Sequence, residues 1–207
     1  MNDRATPAQE QVRHLLEGFT AAPAVLELRD QFLAFARDHA DCCERTLPVG
    51  HFTGSAWLVS VDGERVLLTH HRKLGRWLQL GGHADGDGDL AAVALREAEE
   101  ESGLSGLALE GGIFDLDRHL IPARGDEPAH WHYDVRFVVR ASDEVFRVSE
   151  ESHSLAWKSI AEIAADTTAD DSMRRMALKW LAPGMGRRLT CVAPRACMAL
   201  KASSELK

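Results

Sequence analysis

The sequence lacks a long apolar stretch and has little cysteine. No run of 18 apolar residues occurs in its 207 residues, so we expect no membrane-spanning segment. The beginning of the chain, MNDRATPAQEQ, is polar and lacks the apolar centre of a signal peptide. The four cysteines, at 42, 43, 191 and 197, show no Cys-x-x-Cys spacing and do not indicate a disulfide framework. These absences together predict a location in the reducing cytoplasm.

Basic residues are scarce relative to acidic ones. The chain has 24 Lys and Arg against 32 Asp and Glu, and its net charge is −8. A general nucleic-acid binder needs a basic surface, so we do not expect this function. A nucleotide remains a plausible ligand class, because a bound cation can supply positive charge locally. The length is enough for one complete hydrophobic core and an extension.

Acidic side chains are concentrated in one short segment, in which four of the five residues at 97–101 are glutamate. On a helix, Glu97, Glu100 and Glu101 fall at positions i, i+3 and i+4 and share one face. Like charges at this spacing repel, which gives a purely structural helix no advantage. Carboxylate oxygens are the ligands that a hard ion such as Mg²⁺ takes, so the segment predicts a metal site. Arg96 is predicted to hold one carboxylate in place by a forked hydrogen bond.

The segment from Gly82 to Leu104 resembles a Nudix box, whose pattern is G-x5-E-x7-R-E-U-x-E-E-x-G-U, where U is a bulky aliphatic residue. The positions that match are Gly82, Arg96, Glu97, Glu100, Glu101, Gly103 and Leu104. Ala98 is small for its U position. Gly88 stands where the pattern has Glu, a residue that commonly supports the box arginine or the metal shell. Asp85, Asp87 and Asp89 are candidates to replace it.

The resemblance covers about residues 50 to 182 and implies an α/β/α sandwich around a mixed β-sheet. Alternation and helical spacing agree with this fold class. They predict strands at 51–61, 65–71, 77–80, 107–110, 113–121, 130–140 and 155–158, and helices at 159–165 and 171–181. Asp89 is the predicted N-cap of a helix that begins at Leu90, and Gly103 is predicted to close that helix. The predicted organisation is an N-terminal helical extension at 1–45, a Nudix hydrolase domain at 46–182 and a weakly ordered basic tail at 183–207. The extension is expected to dock on the core or to form a homodimer contact.

The resemblance also implies an activity, the hydrolysis of the pyrophosphate bond in a nucleoside diphosphate linked to another moiety. Mg²⁺, or alternatively Mn²⁺, would be held by Glu97, Glu100 and Glu101 with a backbone carbonyl near Gly82. Beside these, Arg96 is a predicted catalytic residue. A general base is expected from beyond the box, and the candidates are Glu150, Glu151 and Asp134, with Glu97 as a further one.

Several residues outside the box are candidates for substrate binding. They are Arg72, Arg76, Trp77, His83, His130, His132 and Arg136. Trp77 suits stacking on a base or burial in the core. By strand alternation, His130 and His132 share a face with Arg136. This face is interpreted in three ways: as a polar wall for phosphates or ribose, as additional metal ligands, or as ordinary strand residues that are partly exposed.

Two other functions stay open. Some Nudix domains are non-catalytic modules that sense a ligand or bind a partner, and the Gly88 departure is compatible with that role. Isopentenyl diphosphate isomerases also look like Nudix proteins, and their Cys-Gly-His segment corresponds to residues 81–83 here. His83 matches this segment, and His51, His70 and His71 could form a similar His-rich metal site. Gly81, however, stands where the isomerases have their catalytic cysteine.

Overall fold

A computed structural model describes residues 5–71, 75–147 and 154–184 of the chain. Its helices are α1 (Pro7–Glu17), α2 (Pro23–Asp38), α3 (Leu90–Ser102), α4 (Ile160–Ala165) and α5 (Asp171–Leu181). Its strands are β1 (Gly50–Val59), β2 (Arg65–His71), β3 (Arg76–Leu78), β4 (Leu80–His83), β5 (Ala108–Ile121), β6 (His130–Arg140) and β7 (Leu155–Ser159). Within the described ranges, no helix has the length and apolarity needed to cross a membrane.

The strands form one mixed, seven-stranded sheet with the path β3-β2-β1-β6-β5, in which β4 also pairs with β1 and β7 with β2. Strands β1 and β6 run parallel, while the other pairs are antiparallel. The parallel pairing places His51 directly beside His132. Residues from distant parts of the chain therefore meet at one end of β1.

Helices cover both faces of the sheet, which confirms the predicted α/β/α architecture. Val12 of α1, Phe32 of α2 and Leu90 of α3 are fully buried in one hydrophobic cluster on the first face. On the opposite face, Ile160 of α4 and Met176 of α5 are fully buried in a second cluster. The N-terminal helices thus dock on the core. The domain boundaries at 45/46 and 182/183 stay predictions, and the predicted tail lies outside the described residues from position 185 onward.

Two of the predicted strand regions differ from the structure. The residues from Ala108 to Ile121 form one strand where two were expected, because register shifts between Glu110 and Ile113 and between Ile113 and Asp115 let β5 stay paired with β6. The extended run expected at 77–80 instead divides at Gln79. Its first part pairs with β2 and its second with β1, so this division brings residues 80–83 to the centre of the molecule.

Candidate functional site

Helix α3 presents the acidic residues of the box, and both of its ends are capped as predicted. The backbone N–H of Ala92 donates a 3.0 Å hydrogen bond to the Asp89 carboxylate, which satisfies an N-terminal donor. Gly103 ends the helix in the left-handed conformation, with φ of +65°. Buried Val93 and Ala94 face the sheet, and Glu97 lies at the edge of this contact. The caps thereby fix the phase in which the helix presents its glutamates.

The Glu97 carboxylate packs directly on the backbone of Gly82. A Cβ added to Gly82 would lie 2.4 Å from both Cδ and Oε2 of Glu97, so a side chain at position 82 would displace the carboxylate. Burial raises the pKa of Glu97 above its ordinary value, and the adjacent Arg96 opposes this shift only in part. A half-buried carboxylate against main chain that is itself only partly exposed is an arrangement that a bound cation would stabilise.

Arg96 lies between Glu97 and the residues that precede the helix. Its Nη2 is 3.3 Å from Oε1 of Glu97 and 3.5 Å from the carbonyl oxygen of His83, to which it donates. Its Nη1 is 4.0 Å from the carboxylate of Asp87. Of the three aspartates considered as substitutes for the box glutamate, Asp87 therefore is the one beside Arg96. Asp85 instead forms an ion pair with Arg45.

At Gly88, where the chain departs from the box pattern, the N-terminal extension fills the space that a side chain would take. A Cβ at this position would lie 2.4 Å from the carbonyl oxygen of Ala8 and 2.6 Å from its Cα. These are backbone atoms of α1, which cannot swing aside as a side chain can. A glutamate at position 88 is thus incompatible with the docked helix.

The remaining glutamates of the acidic segment differ in their surroundings. Glu100 and Glu99 are exposed, while Glu101 is half-buried. The predicted bases Glu150 and Glu151 lie outside the described residues, as does Arg72. Their roles stay predictions.

Imidazole side chains form a row across four adjacent strands. His51 of β1 is beside His132 of β6, and His132 is beside His119 of β5. On the other side of β1, His83 of β4 is paired with Thr53, two residues from His51. His130 is on β6 as well, and its Nε2 lies 3.3 Å from Nε2 of His132. The predicted substrate residues His83, His130 and His132 are thus brought together, with His51 among them.

The row is largely shielded from solvent, and its electrostatics favour uncharged rings. His51 is 1% exposed, and neither of its ring nitrogens has a hydrogen-bond partner among the described residues. Burial lowers its pKa to about 4, and burial also lowers the pKa of His83 and His132. These three rings are therefore neutral near pH 7, and each offers a lone pair on one nitrogen.

Arg136 lies deeper on the same face of the sheet, in a buried network of charges. The guanidinium is 2% exposed and contacts Asp134 at 2.7 Å, Asp117 at 3.2 Å and Asp115 at 3.4 Å. Asp134, a candidate base, also accepts hydrogen bonds from Thr53, Ser55 and Gln79. This placement argues against the expected contact of Arg136 with substrate and against proton transfer by Asp134.

Asp117 connects this network to the histidine row. Its carboxylate lies 3.1 Å from Nδ1 of His119 and 3.0 Å from the guanidinium of Arg175. Burial alone would raise the pKa of Asp117, but His119, Arg136 and Arg175 together outweigh burial and hold the pKa well below its ordinary value. The carboxylate is therefore charged in the folded protein.

Trp77 and Arg76 line a cleft of about 690 Å³ between the edge of the sheet and α4 and α5. Nζ of Lys158 lies 4.4 Å from the centre of the Trp77 ring, and Arg76 is 3.5 Å from Asp170. The volume is in the usual range for a small-molecule site. The cleft thus combines an aromatic ring and two basic groups with four acidic ones, which are Glu162, Asp166, Asp170 and Asp171.

Comparison with known proteins identifies the family. The model of the NUDIX domain matches residues 51–180. The chain belongs to the Nudix family. This membership confirms the resemblance of the box and supports a pyrophosphohydrolase. No curated protein sequence matches the chain.

Solved structures of the Nudix fold resemble the chain at low identity. A Nudix family hydrolase from Clostridium perfringens is 23% identical, with 61% of this chain and 93% of that chain covered and a TM-score of 0.46. The dihydroneopterin triphosphate pyrophosphohydrolase of E. coli is 16% identical, with coverages of 62% and 93% and a TM-score of 0.48. The Ap4A hydrolase of C. elegans is 15% identical, with coverages of 62% and 93% and a TM-score of 0.46.

Two residues described above were not among the predicted site residues. His51 was considered only in connection with the isomerases, and Lys158 was not considered. The alternation of His51, Thr53 and Ser55 on β1 is a signal for a polar strand face. Lys158 has no such signal, since its position over Trp77 depends on how β7 pairs with β2.

Proposed function

We propose that this Nudix protein is a Mg²⁺-dependent hydrolase that cleaves the pyrophosphate bond of a nucleoside diphosphate linked to another moiety. The observation that carries the proposal is the Glu97 carboxylate on the backbone of Gly82, on a helix whose next turn presents Glu100 and Glu101. Mn²⁺ is the alternative ion. The ligand partner is a small nucleotide derivative.

The donor set fits a hard divalent cation. Glu97, Glu100 and Glu101 offer carboxylate oxygens, and Gly82 lets the Glu97 carboxylate approach the main chain closely because it has no side chain. The raised pKa of Glu97 fits as well, since it reports a carboxylate whose charge is incompletely compensated by Arg96. A bound ion would neutralise charge on the pyrophosphate oxygens and lower the pKa of a coordinated water.

The surrounding residues would position these groups. Arg96 donates to Glu97 and to the carbonyl oxygen of His83, so it couples the helix to β4 and holds the carboxylate in its orientation. Asp87 beside it takes over part of the role of the box glutamate. Glu150 and Glu151 stay the proposed bases for the attacking water.

We further propose that the cleft at Trp77 receives the nucleoside or the second moiety of the substrate. Trp77 offers an aromatic ring for stacking, while the acidic residues of the lining make the cleft better suited to a nucleoside than to its phosphates. Trp77 and Gly82 are separated by five residues, so their Cα atoms are at most about 18 Å apart. The cleft lies on the face of the sheet that α4 and α5 cover, whereas Glu97 lies on the α3 face, so a substrate that occupies both places would have to extend around the edge of the sheet.

The test is product release from a panel of nucleoside diphosphate derivatives with Mg²⁺, with Mn²⁺ and with EDTA. Glu100→Gln and Glu101→Gln should each lower kcat by at least about 100-fold, because each removes a charged metal ligand. Glu99→Gln is the matched control, since Glu99 is an exposed glutamate of the same helix that is not in the predicted ligand set. Turnover that survives EDTA, or equal activity in all three variants, would contradict the proposal.

The two alternatives differ in their support. An isomerase of the type considered above needs a thiol at position 81, but a Cβ at Gly81 would lie 2.3 Å from Oγ of Ser55 and 2.7 Å from its Cα. The position has no room for a cysteine, which argues against this chemistry. A non-catalytic module would bind a panel member tightly without metal-dependent turnover, and the same assay separates it from a hydrolase. The cytoplasmic location and the homodimer stay predictions.

A further inference from the structure

The histidine row lies on the opposite side of β4 from the Nudix box. Gly82 is paired with Gly54, which faces α3, whereas His83 is paired with Thr53 and faces the other way. Gly82 and His83, which are consecutive in β4, thus face two different environments on opposite sides of the strand. One is rich in carboxylates and the other in imidazoles, so the two places suit different ions.

His51 is at the centre of the row, and its surroundings leave its nitrogens without partners. The ring centres of His83, His130 and His132 lie 5.0, 5.0 and 4.8 Å from that of His51. Buried polar atoms are normally hydrogen-bonded, and a buried ring with both nitrogens unpartnered calls for an explanation. Ring nitrogens of His83 and His132 lie close to those of His51, and a cation is the group that satisfies several lone pairs at once.

The spacing of the nitrogens is close to that of a metal site. One nitrogen each from His51, His83 and His132 lie within 4.8 Å of one another. Even at the widest such spacing, an ion at the centre of the triangle would be about 2.8 Å from each nitrogen, within about 1 Å of a zinc–nitrogen bond. The 3.3 Å between Nε2 of His130 and Nε2 of His132 equals the edge of a tetrahedron built from such bonds.

We propose that His51, His83 and His132, with His130 as the fourth ligand, form a binding site for a transition-metal ion of the Zn²⁺ class. Nitrogen-only ligands select such ions over Mg²⁺, which takes oxygen. The site is separate from the carboxylates of α3 and does not depend on the proposed hydrolysis.

Hydrogen bonds around the row are of the kind that orient metal-binding imidazoles. Nδ1 of His130 lies 3.0 Å from the carbonyl oxygen of Pro128, so it donates there and leaves Nε2 with its lone pair toward His132. Nδ1 of the neighbouring His119 is held by Asp117. Ligand histidines usually bond through their second nitrogen to a carbonyl or a carboxylate in this way.

The experiment is a titration of the full chain, stripped of metal by a chelator, with Co²⁺. A tetrahedral, nitrogen-ligated Co²⁺ ion absorbs visible light strongly, whereas octahedral Co²⁺ on carboxylates absorbs weakly. We expect strong absorption that saturates at one equivalent and disappears when Zn²⁺ is added. His83→Gln and His132→Gln should each weaken Co²⁺ binding at least tenfold. His14→Gln, which alters an exposed histidine of α1, should leave it unchanged.

The outcomes are decisive in both directions. Absence of the strong absorption, or equal Co²⁺ affinity in His83→Gln and the wild type, would overturn the proposal and leave the row as stacked neutral rings. His83 is half-buried, so its variant is expected to fold even if His132→Gln does not, and circular dichroism checks this. As a second readout, Zn²⁺ should raise the Tm of the wild type and of His14→Gln but not that of His83→Gln.

Discussion

Replacing Gly88 by alanine tests how the N-terminal extension is seated on the Nudix box. The added Cβ would lie 2.4 Å from the carbonyl oxygen of Ala8, and 2.7 Å from Oε1 of Gln11. Gln11 can move, but the Ala8 oxygen belongs to the backbone of α1. The helix must therefore shift by about 1 Å to reach ordinary contact distance.

The size of the effect follows from what α1 contributes to the core. Overpacking of this kind typically costs about 1–3 kcal/mol of unfolding free energy. The upper limit is complete detachment of α1, which would expose Val12 and Leu16, both fully buried, and cost about 3–6 kcal/mol. Backbone strain plays no part, because φ of Gly88 is not positive. We expect Gly88→Ala to lose about 1–3 kcal/mol, and Gly88→Glu, which restores the box residue, to lose more.

Urea unfolding followed by tryptophan fluorescence gives the measurement, and Gly112→Ala is the matched control. Gly112 has no atom within 4 Å of an added Cβ, and its φ is not positive either. An alanine there restricts the unfolded chain and should be neutral or stabilising by less than about 1 kcal/mol. A lower m-value in Gly88→Glu would show that α1 has come off, since less surface would remain to be exposed on unfolding.

Two results would refute this reasoning. Equal stability of Gly88→Ala and Gly112→Ala would mean that α1 is not seated on residue 88. Higher activity of Gly88→Glu at unchanged stability would mean that the box lacks a functional carboxylate. It would contradict our explanation that residue 88 is glycine because α1 docks against it.

Three further predictions concern the buried charges and the cleft. Arg136→Met should lower the unfolding free energy by about 3–5 kcal/mol, because it leaves the buried Asp134 without its counter-charge. Arg118→Met, at an exposed position, should change the unfolding free energy by less than about 1 kcal/mol. Urea midpoints measure both variants, and equal losses would contradict the charge network. Because the folded pKa of Asp117 is depressed, its contribution to stability is complete above the unfolded pKa of about 3.9 and is lost as the pH falls below it. Asp117→Asn should therefore lose less stability than the wild type between pH 4 and pH 3, which urea midpoints at each pH check. Trp77→Ala should raise KM for the true substrate at least tenfold with a smaller change in kcat, and steady-state kinetics would contradict the cleft assignment if KM stayed constant.

Much of the fold could be predicted because its signals are local. The bounds of β2, β6 and α5 follow from alternation and helical spacing, and the N-cap Asp89 and the C-terminal Gly103 delimit α3. The carboxylate face of α3 follows from the helix period alone. These features depend on residues within a few positions of one another, which is the range over which sequence patterns are informative.

The histidine row depends on pairings that such patterns do not contain. His51 and His132 are 81 residues apart and meet only because β1 and β6 run parallel in one particular register. A shift of that register by one residue would turn His51 toward the opposite face, among apolar side chains. The same dependence makes the row informative, because it brings three imidazoles around the buried ring of His51. Such a register must be stabilised by the rest of the sheet or by an ion that the rings bind together.

The glycine at position 88 is a departure from the family pattern that the structure explains and the sequence alone does not. In the sequence it is a carboxylate that is missing eight positions before Arg96, and it weakens the case for a working metal site. In the structure the space is filled by the backbone of Ala8, and Asp87 lies 4.0 Å from the arginine. A helix that precedes the domain thus takes the place of a side chain of the box. Any change that loosens α1 should therefore reach Arg96 and Glu97 through the short segment that links residue 88 to α3.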